Sequence, residues 1–144
     1  MTMGTMTLFD KTKEYIGDGT IDLDGDTFKA AIVTSTGAVD VTDDVWADLS
    51  GNIAANIAAI TLTNVTWIES SGVVTFDCDP LVFTASGGNG TGRHVVIYDD
   101  TVTTPIADPL VCFALLDVTP ADKTILSGDT LTLTPPTDGL FQSS

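Results

Sequence analysis

The chain has 144 residues, 43% of them apolar, and carries 20 Asp and Glu against 5 Lys and Arg, a formal net charge of −15. That length and apolar content are enough for one hydrophobic core without disulfide or metal staples. So negative a field repels phosphate backbones and anionic lipid headgroups, which argues against nucleic acid and membrane surfaces as partners.

In chain order, the opening MTMGTMTLFDKTKEY has no basic region followed by an apolar run, so no signal peptide is expected. Nor does any stretch approach the roughly 20 apolar residues of a membrane span. A helix is predicted over residues 8–16, capped by Thr7 with Asp10 as its capping-box partner and stopped by Gly17. Leu8, Phe9, Thr12, Tyr15 and Ile16 fall at helical spacing and form its apolar face. Residues 1–19 are thus expected to be a helical arm of a single β-rich domain spanning 1–144.

Asp18-Gly19 and Asp24-Gly25-Asp26 read as turns, and the first strand is predicted over 28–34, stopped by Ser35-Thr36-Gly37. Residues 38–58 show no firm period, apart from one helical turn suggested by Val41, Val45, Trp46 and Leu49 after Thr42-Asp43-Asp44. Residues 60–63 and 65–68 read as one long or bulged strand interrupted at Asn64. A hairpin through Ser70-Ser71-Gly72 leads into a strand over 73–78, ended by Asp79-Pro80. Residues 86–92, SGGNGTG, are expected to be a flexible loop. Strands follow over 93–98, 110–116 and 130–134. Short strands at this spacing, with many Asp, Thr and Pro turns, predict a mainly β chain, an antiparallel β-sandwich or open barrel with a short N-terminal helix.

Chemistry-bearing motifs are sparse. Asp22-Leu-Asp24-Gly-Asp26 begins like a calcium loop, but Thr27 stands where the loop needs glycine and Val33 where it needs a bidentate glutamate. A solvated turn is the expectation, with Asp22, Asp24 and Asp26 as weak candidate ligands; no metal and no cofactor are predicted. His94 is the only histidine and, beside Arg93, reads as a partly exposed structural residue. Cys78 and Cys112 sit in alternating apolar stretches and read as buried thiols, with one disulfide as the alternative. Trp46 and Trp67 read as core residues. SGGNGTG lacks the lysine and the strand-to-helix setting of a phosphate loop, and no nucleophile elbow or dinucleotide fingerprint occurs. With Glu14 and Glu69 as the only glutamates among many Asp, no carboxylate pair stands out as a glycosidase's acid and base. The sequons at Asn64 and Asn89 matter only in a secretory pathway.

The segment LFDKTKEYIGDGTIDLDGDTFKAAIVTS resembles the start of a family of small tailed-bacteriophage virion proteins, in which a short amphipathic helix runs into G-x-I-D-L-D-x-D-T-x-K and a strand ending in Thr-Ser. The likeness continues more loosely through ITLTNVTW, VTFDCDPLVFTA, HVVIYDDT, PLVCFALLD and SGDTLTLTPPTDGLF, and departs from the family at residues 43–58. It implies a virion structural protein, foremost a capsid decoration (cement) protein bound to the outside of the major capsid protein shell, made in the host cytoplasm and carrying no catalytic residues. A trimer or other homo-oligomer is common among such proteins. The charge suits the outside of a shell, away from packed DNA.

On this reading the docking residues are Leu8, Phe9, Tyr15 and Ile16 of the helix with Lys11, Lys13 and Lys29, which are three of the 5 cations. The bland alternative has the helix packing on its own sheet. Deleting residues 1–16 is then expected to leave a folded protein that no longer binds shells. Competing expectations are a tail or neck component (tube, connector or fibre), a carbohydrate-binding β-sandwich module using Asp22, Asp24 and Asp26, and, least favoured, an enzyme.

Overall fold

The β-branched and aromatic runs form strands and the Asp, Asn and Gly clusters turn the chain between them. The computed structural model describes residues 1–117 and 119–144; it is mainly β, with 39% strand and 10% helix. In chain order the strands are β1 (Thr7–Leu8), β2 (Phe28–Val33), β3 (Ile60–Thr61), β4 (Thr66–Ser70), β5 (Val73–Asp77), β6 (Leu81–Thr84), β7 (Gly90–Gly92), β8 (His94–Asp99), β9 (Leu110–Leu115), β10 (Lys123–Ile125), β11 (Thr130–Leu133) and β12 (Phe141–Ser143). The helices are α1 (Asp10–Gly17) and the single turn α2 (Trp46–Leu49).

All the strand ladders are antiparallel. The largest sheet has the order β1-β9-β8-β2-β3; smaller sheets pair β12-β5-β4, β11-β6 and β10-β7. On one face of the large sheet Phe28, Ala30, Ile32, Val95 and Ile97 pack against Phe76, Leu81, Phe83, Leu133 and Phe141 of the smaller sheets, which is a sandwich-like arrangement. On the opposite face Ala31, Val33, Val96, Tyr98 and Leu110 are covered by Phe9 and Leu49, with Trp46 stacked on Tyr98 at 4.5 Å. Burial on both faces explains why β2 and β8 read as continuous apolar runs rather than alternating ones. Val111 is the extra residue of a bulge where β8 and β9 shift register between Ile97 and Tyr98.

The hairpin through Ser71 and Gly72 forms as expected. Both residues have positive φ (54° and 84°), which matches the two-residue turn that suits strand twist. The predicted turn of helix near Trp46 is present, and Asp48 fixes it by accepting the backbone N–H groups of Asp44 and Val45 at 3.0 and 3.1 Å.

Four expectations need correction. Thr7 does not cap the helix: it pairs with Phe113 in β1, Phe9 is the residue before α1, and no side chain caps it. Tertiary strand pairing took the segment that local rules assigned to a capping box. Residues 60–68 do not form one strand. Asn64 takes a left-handed backbone (φ 51°) and bonds Asp79 Oδ2 at 2.6 Å, so the chain turns and sends β3 to the large sheet and β4 to another. Residues 86–92 are not all loop, because Gly90–Gly92 pairs with β10. The glycines are there for close approach: a Cβ on Gly92 would collide with Ile32 Cγ2, and one on Gly90 with the side chain of Ile57. Residues 1–19 are not simply a helical arm, since Thr7–Leu8 form β1 of the large sheet and Met3, Met6, Phe9 and Thr12 are buried. Strands β1, β6, β7, β10 and β12 had no counterpart in the sequence reading.

Candidate functional site: a cleft between the N-terminal helix and Trp67

Helix α1 is held in place by a residue that is buried and polar. The Thr12 hydroxyl, fully buried, donates to the carbonyl of Leu110 at 2.6 Å. Next to it Phe9, 0% exposed, packs its ring 4.8 Å from Phe113. These contacts point one side of the helix into the protein and leave Lys11, Lys13 and Glu14 exposed. Lys11 pairs with Glu14 at 2.8 Å with both side chains more than half exposed (53% and 61%), so the pair adds little stability. Tyr15 donates to Asp44 at 2.8 Å, and burial first, then this bond, push its hydroxyl up to about 12.

The remaining side of the helix borders an open cleft. Across β12, β5 and β4 the residues Phe141, Phe76 and Trp67 stand in register. Phe76 is fully buried between its neighbours, 5.0 Å from the Phe141 ring and 5.3 Å from Phe28, whereas Trp67 on the edge strand β4 is only partly covered. Leu8 of β1, with Lys13 and Ile16 of α1, closes in to form a cleft of 150 Å³ with Trp67, Phe141 and Ser143. A second hollow of 330 Å³ is lined by Ile16, Gly19, Ile21, Asp22, Leu23 and Trp67. Ile16 and Trp67 belong to both.

Three of the residues singled out from the sequence, Leu8, Lys13 and Ile16, therefore converge. Phe9 does not join them because it is enclosed in the core, and Tyr15 is turned toward Asp44. Lys29 sits on β2, paired with Asp100 at 3.1 Å. Trp67, which the sequence reading placed in the core, is the residue missed. Its alternation with Ile68, 61% exposed, gave the strand but not its position at a sheet edge.

Asp22 Oδ1 accepts the N–H groups of Asp24 and Gly25, each at 3.1 Å, and Asp26 Oδ2 accepts that of Asp22 at 2.8 Å. Their oxygens thus bond their own turn, as expected of aspartates there. Among the described residues no group of three or more His, Cys, Asp or Glu side chains converges as a metal would need. His94 packs edge-on to Phe113 at 6.1 Å, and burial first, then Arg93, lower its pKa. Arg93 is itself bonded to Asp122 at 2.8 Å. Both cysteines are free thiols, Cys112 fully buried and Cys78 partly.

The cleft offers an indole face, aliphatic walls and one ammonium at its rim. It can receive an apolar or aromatic side chain with an acceptor nearby. Comparison with family models, with curated proteins and with solved structures found no match. The fold and the cleft together define a mainly β protein of antiparallel sheets with a side-chain-sized cleft beside its N-terminal helix.

Proposed function

We propose that the chain is a virion structural protein of a tailed bacteriophage, foremost a capsid decoration protein that binds the outside of the major capsid protein shell and stabilises it. The observation that carries this reading is the convergence of Leu8, Lys13 and Ile16 with Trp67 in one open cleft. Partly buried Trp in an apolar cleft is a common anchor of protein interfaces, where a few residues supply most of the binding energy. Leu8, Lys13 and Ile16 of the cleft lie in the segment that most resembles phage virion proteins. The excess of acid elsewhere, −15 in total, opposes non-specific self-association and suits a surface facing water. Many weak contacts multiplied over a shell give firm attachment.

The test is binding of purified protein to undecorated shells. Trp67→Ala is expected to weaken binding at least about 30-fold, the loss of one strong anchor, and Lys13→Glu to weaken it less while changing its salt dependence. Wild-type binding by both variants would overturn the assignment of the cleft. Copy number per particle separates shell from tail or neck: hundreds for the first, a few rings for the second.

A further inference from the structure

The end of β8 carries a buried carboxyl group that takes no part in the cleft. Asp99, the last residue of β8, is 0% exposed. Its Oδ1 accepts the N–H groups of Thr101 and Val102 at 2.8 and 3.3 Å. Its Oδ2 is buried, and among the described residues no N–H or hydroxyl donates to it. Phe28 pairs with Asp99 in the large sheet and Asp100 N–H bonds the Thr27 carbonyl, which brings the Asp26 carboxyl, whose Oδ2 already holds the N–H of Asp22, alongside Asp99. Two acceptors in contact, one of them sealed from water, are stable together when a proton lies between them.

We propose that Asp26 and Asp99 share one proton, and that this carboxyl pair is a latch fastening the acidic turn to the end of β8, released when the proton is lost. The elements joined are specific. Beside the pair, Thr27 N–H donates to Thr101 Oγ1 at 2.7 Å and Asp100 N–H to the Thr27 carbonyl at 2.9 Å, so the turn and the loop after β8 are already stitched by backbone. The turn carries Ile21, Asp22 and Leu23, which line the hollow beside Trp67, so the latch holds one wall of that hollow.

The charged groups around the pair are few. Asp22 and Asp24 lie on the same turn, Lys29 of β2 is occupied by Asp100, and Asp108 bonds the Val102 carbonyl through its N–H at 3.0 Å. None places a cation against Asp99; burial first, then Asp26, push its carboxyl up from 3.8 to about 7. A folded-state pKa raised in this way makes the proton's contribution to stability full below the ordinary carboxylate value and lost as pH rises through about 7. His94, whose pKa is lowered, works the opposite way in acid, so the wild-type curve alone mixes the two.

Asp99→Asn separates them. An amide in that place donates to Asp26 at every pH and still accepts from Thr101 and Val102. In the full-length chain, Tm of Asp99→Asn relative to wild type is expected to rise by about 4–8 °C between pH 5.5 and 8.5. The ¹³C resonance of the Asp99 carboxyl in wild type is expected to titrate near 7, and in Asp26→Asn, whose amide donates to Asp99, well below that. The Asp26 variant and the carboxyl resonance decide the matter even if Asp99→Asn does not fold. An Asp99 resonance titrating in the ordinary carboxylate range would overturn the latch. So would a calcium-dependent rise in wild-type Tm at pH 8 that Asp99→Asn lacks, because the pair would then be a cation site. Neither result bears on shell binding, which is read separately through Trp67.

Discussion

Replacing Phe9 by alanine tests whether the N-terminal segment belongs to the core or is a mobile docking arm. The ring is 0% exposed and packs among Ala31, Val33, Leu49, Val96, Tyr98 and Leu110. Removing it forfeits about 2–3 kcal/mol of transfer free energy. The hole between the helix and the large sheet adds a cavity cost, since Thr12 and its bond to Leu110 keep the helix from collapsing inward. Loss of the tilted contact with Phe113 belongs to the same total. The sum is about 3–5 kcal/mol, typical of a buried Phe→Ala change, or a fall in Tm of roughly 6–20 °C for a domain near this size. Urea denaturation should show a lower midpoint with an unchanged slope. Lys11→Ala, which removes only an exposed ion pair, is the control and should change stability by less than about 0.5 kcal/mol. A loss below about 1 kcal/mol for Phe9→Ala would show that the helix is not seated as described. The same reasoning reverses the expectation for deletion of residues 1–16: removing Met3, Met6, Phe9 and Thr12 from the interior should prevent stable folding, so lost shell binding by that truncation would carry no information.

Two further outcomes follow from packing. Gly92→Ala, whose Cβ would meet Ile32 and lie 3.3 Å from the Val33 carbonyl, should cost about 1–3 kcal/mol, while Gly51→Ala, with open space around it, should be near neutral by thermal melts. Equal melting of the two would refute the close approach of β7 to β2. Burial pushes the Cys78 thiol up to about 12 and raises Cys112 well above its ordinary value, so native protein at pH 8 should alkylate at least about 100-fold more slowly than the urea-unfolded chain; rapid labelling of native Cys78 would contradict its described burial.

Much of the architecture was legible because it depends on neighbours in sequence. Alternating or continuous apolar runs made β2, β8, β9 and β11 visible, and Ser71-Gly72 announced its hairpin, since positive φ is a local demand that glycine meets. The charge, too, is a property of composition. Of the cleft, Leu8 and Ile16 were found through helical spacing and Lys13 through its charge, but not the partner surface that turned them into a cleft.

What tertiary structure alone decided has a common cause: it depends on residues far apart in the chain. Strands of two or three residues such as β1, β7 and β12 carry too little pattern to be recognised and exist because a distant strand supplies the hydrogen bonds. Whether Trp67 was interior or edge depended on which strand lay beside β4, and Phe9 became core rather than contact surface because Phe113, more than a hundred residues later, lies against it. Asp99 became a buried group only when the fold enclosed it at the end of β8. Sequence set the net charge, the longer strands and the turns; the burial that gives a side chain its chemistry arose only when remote segments met.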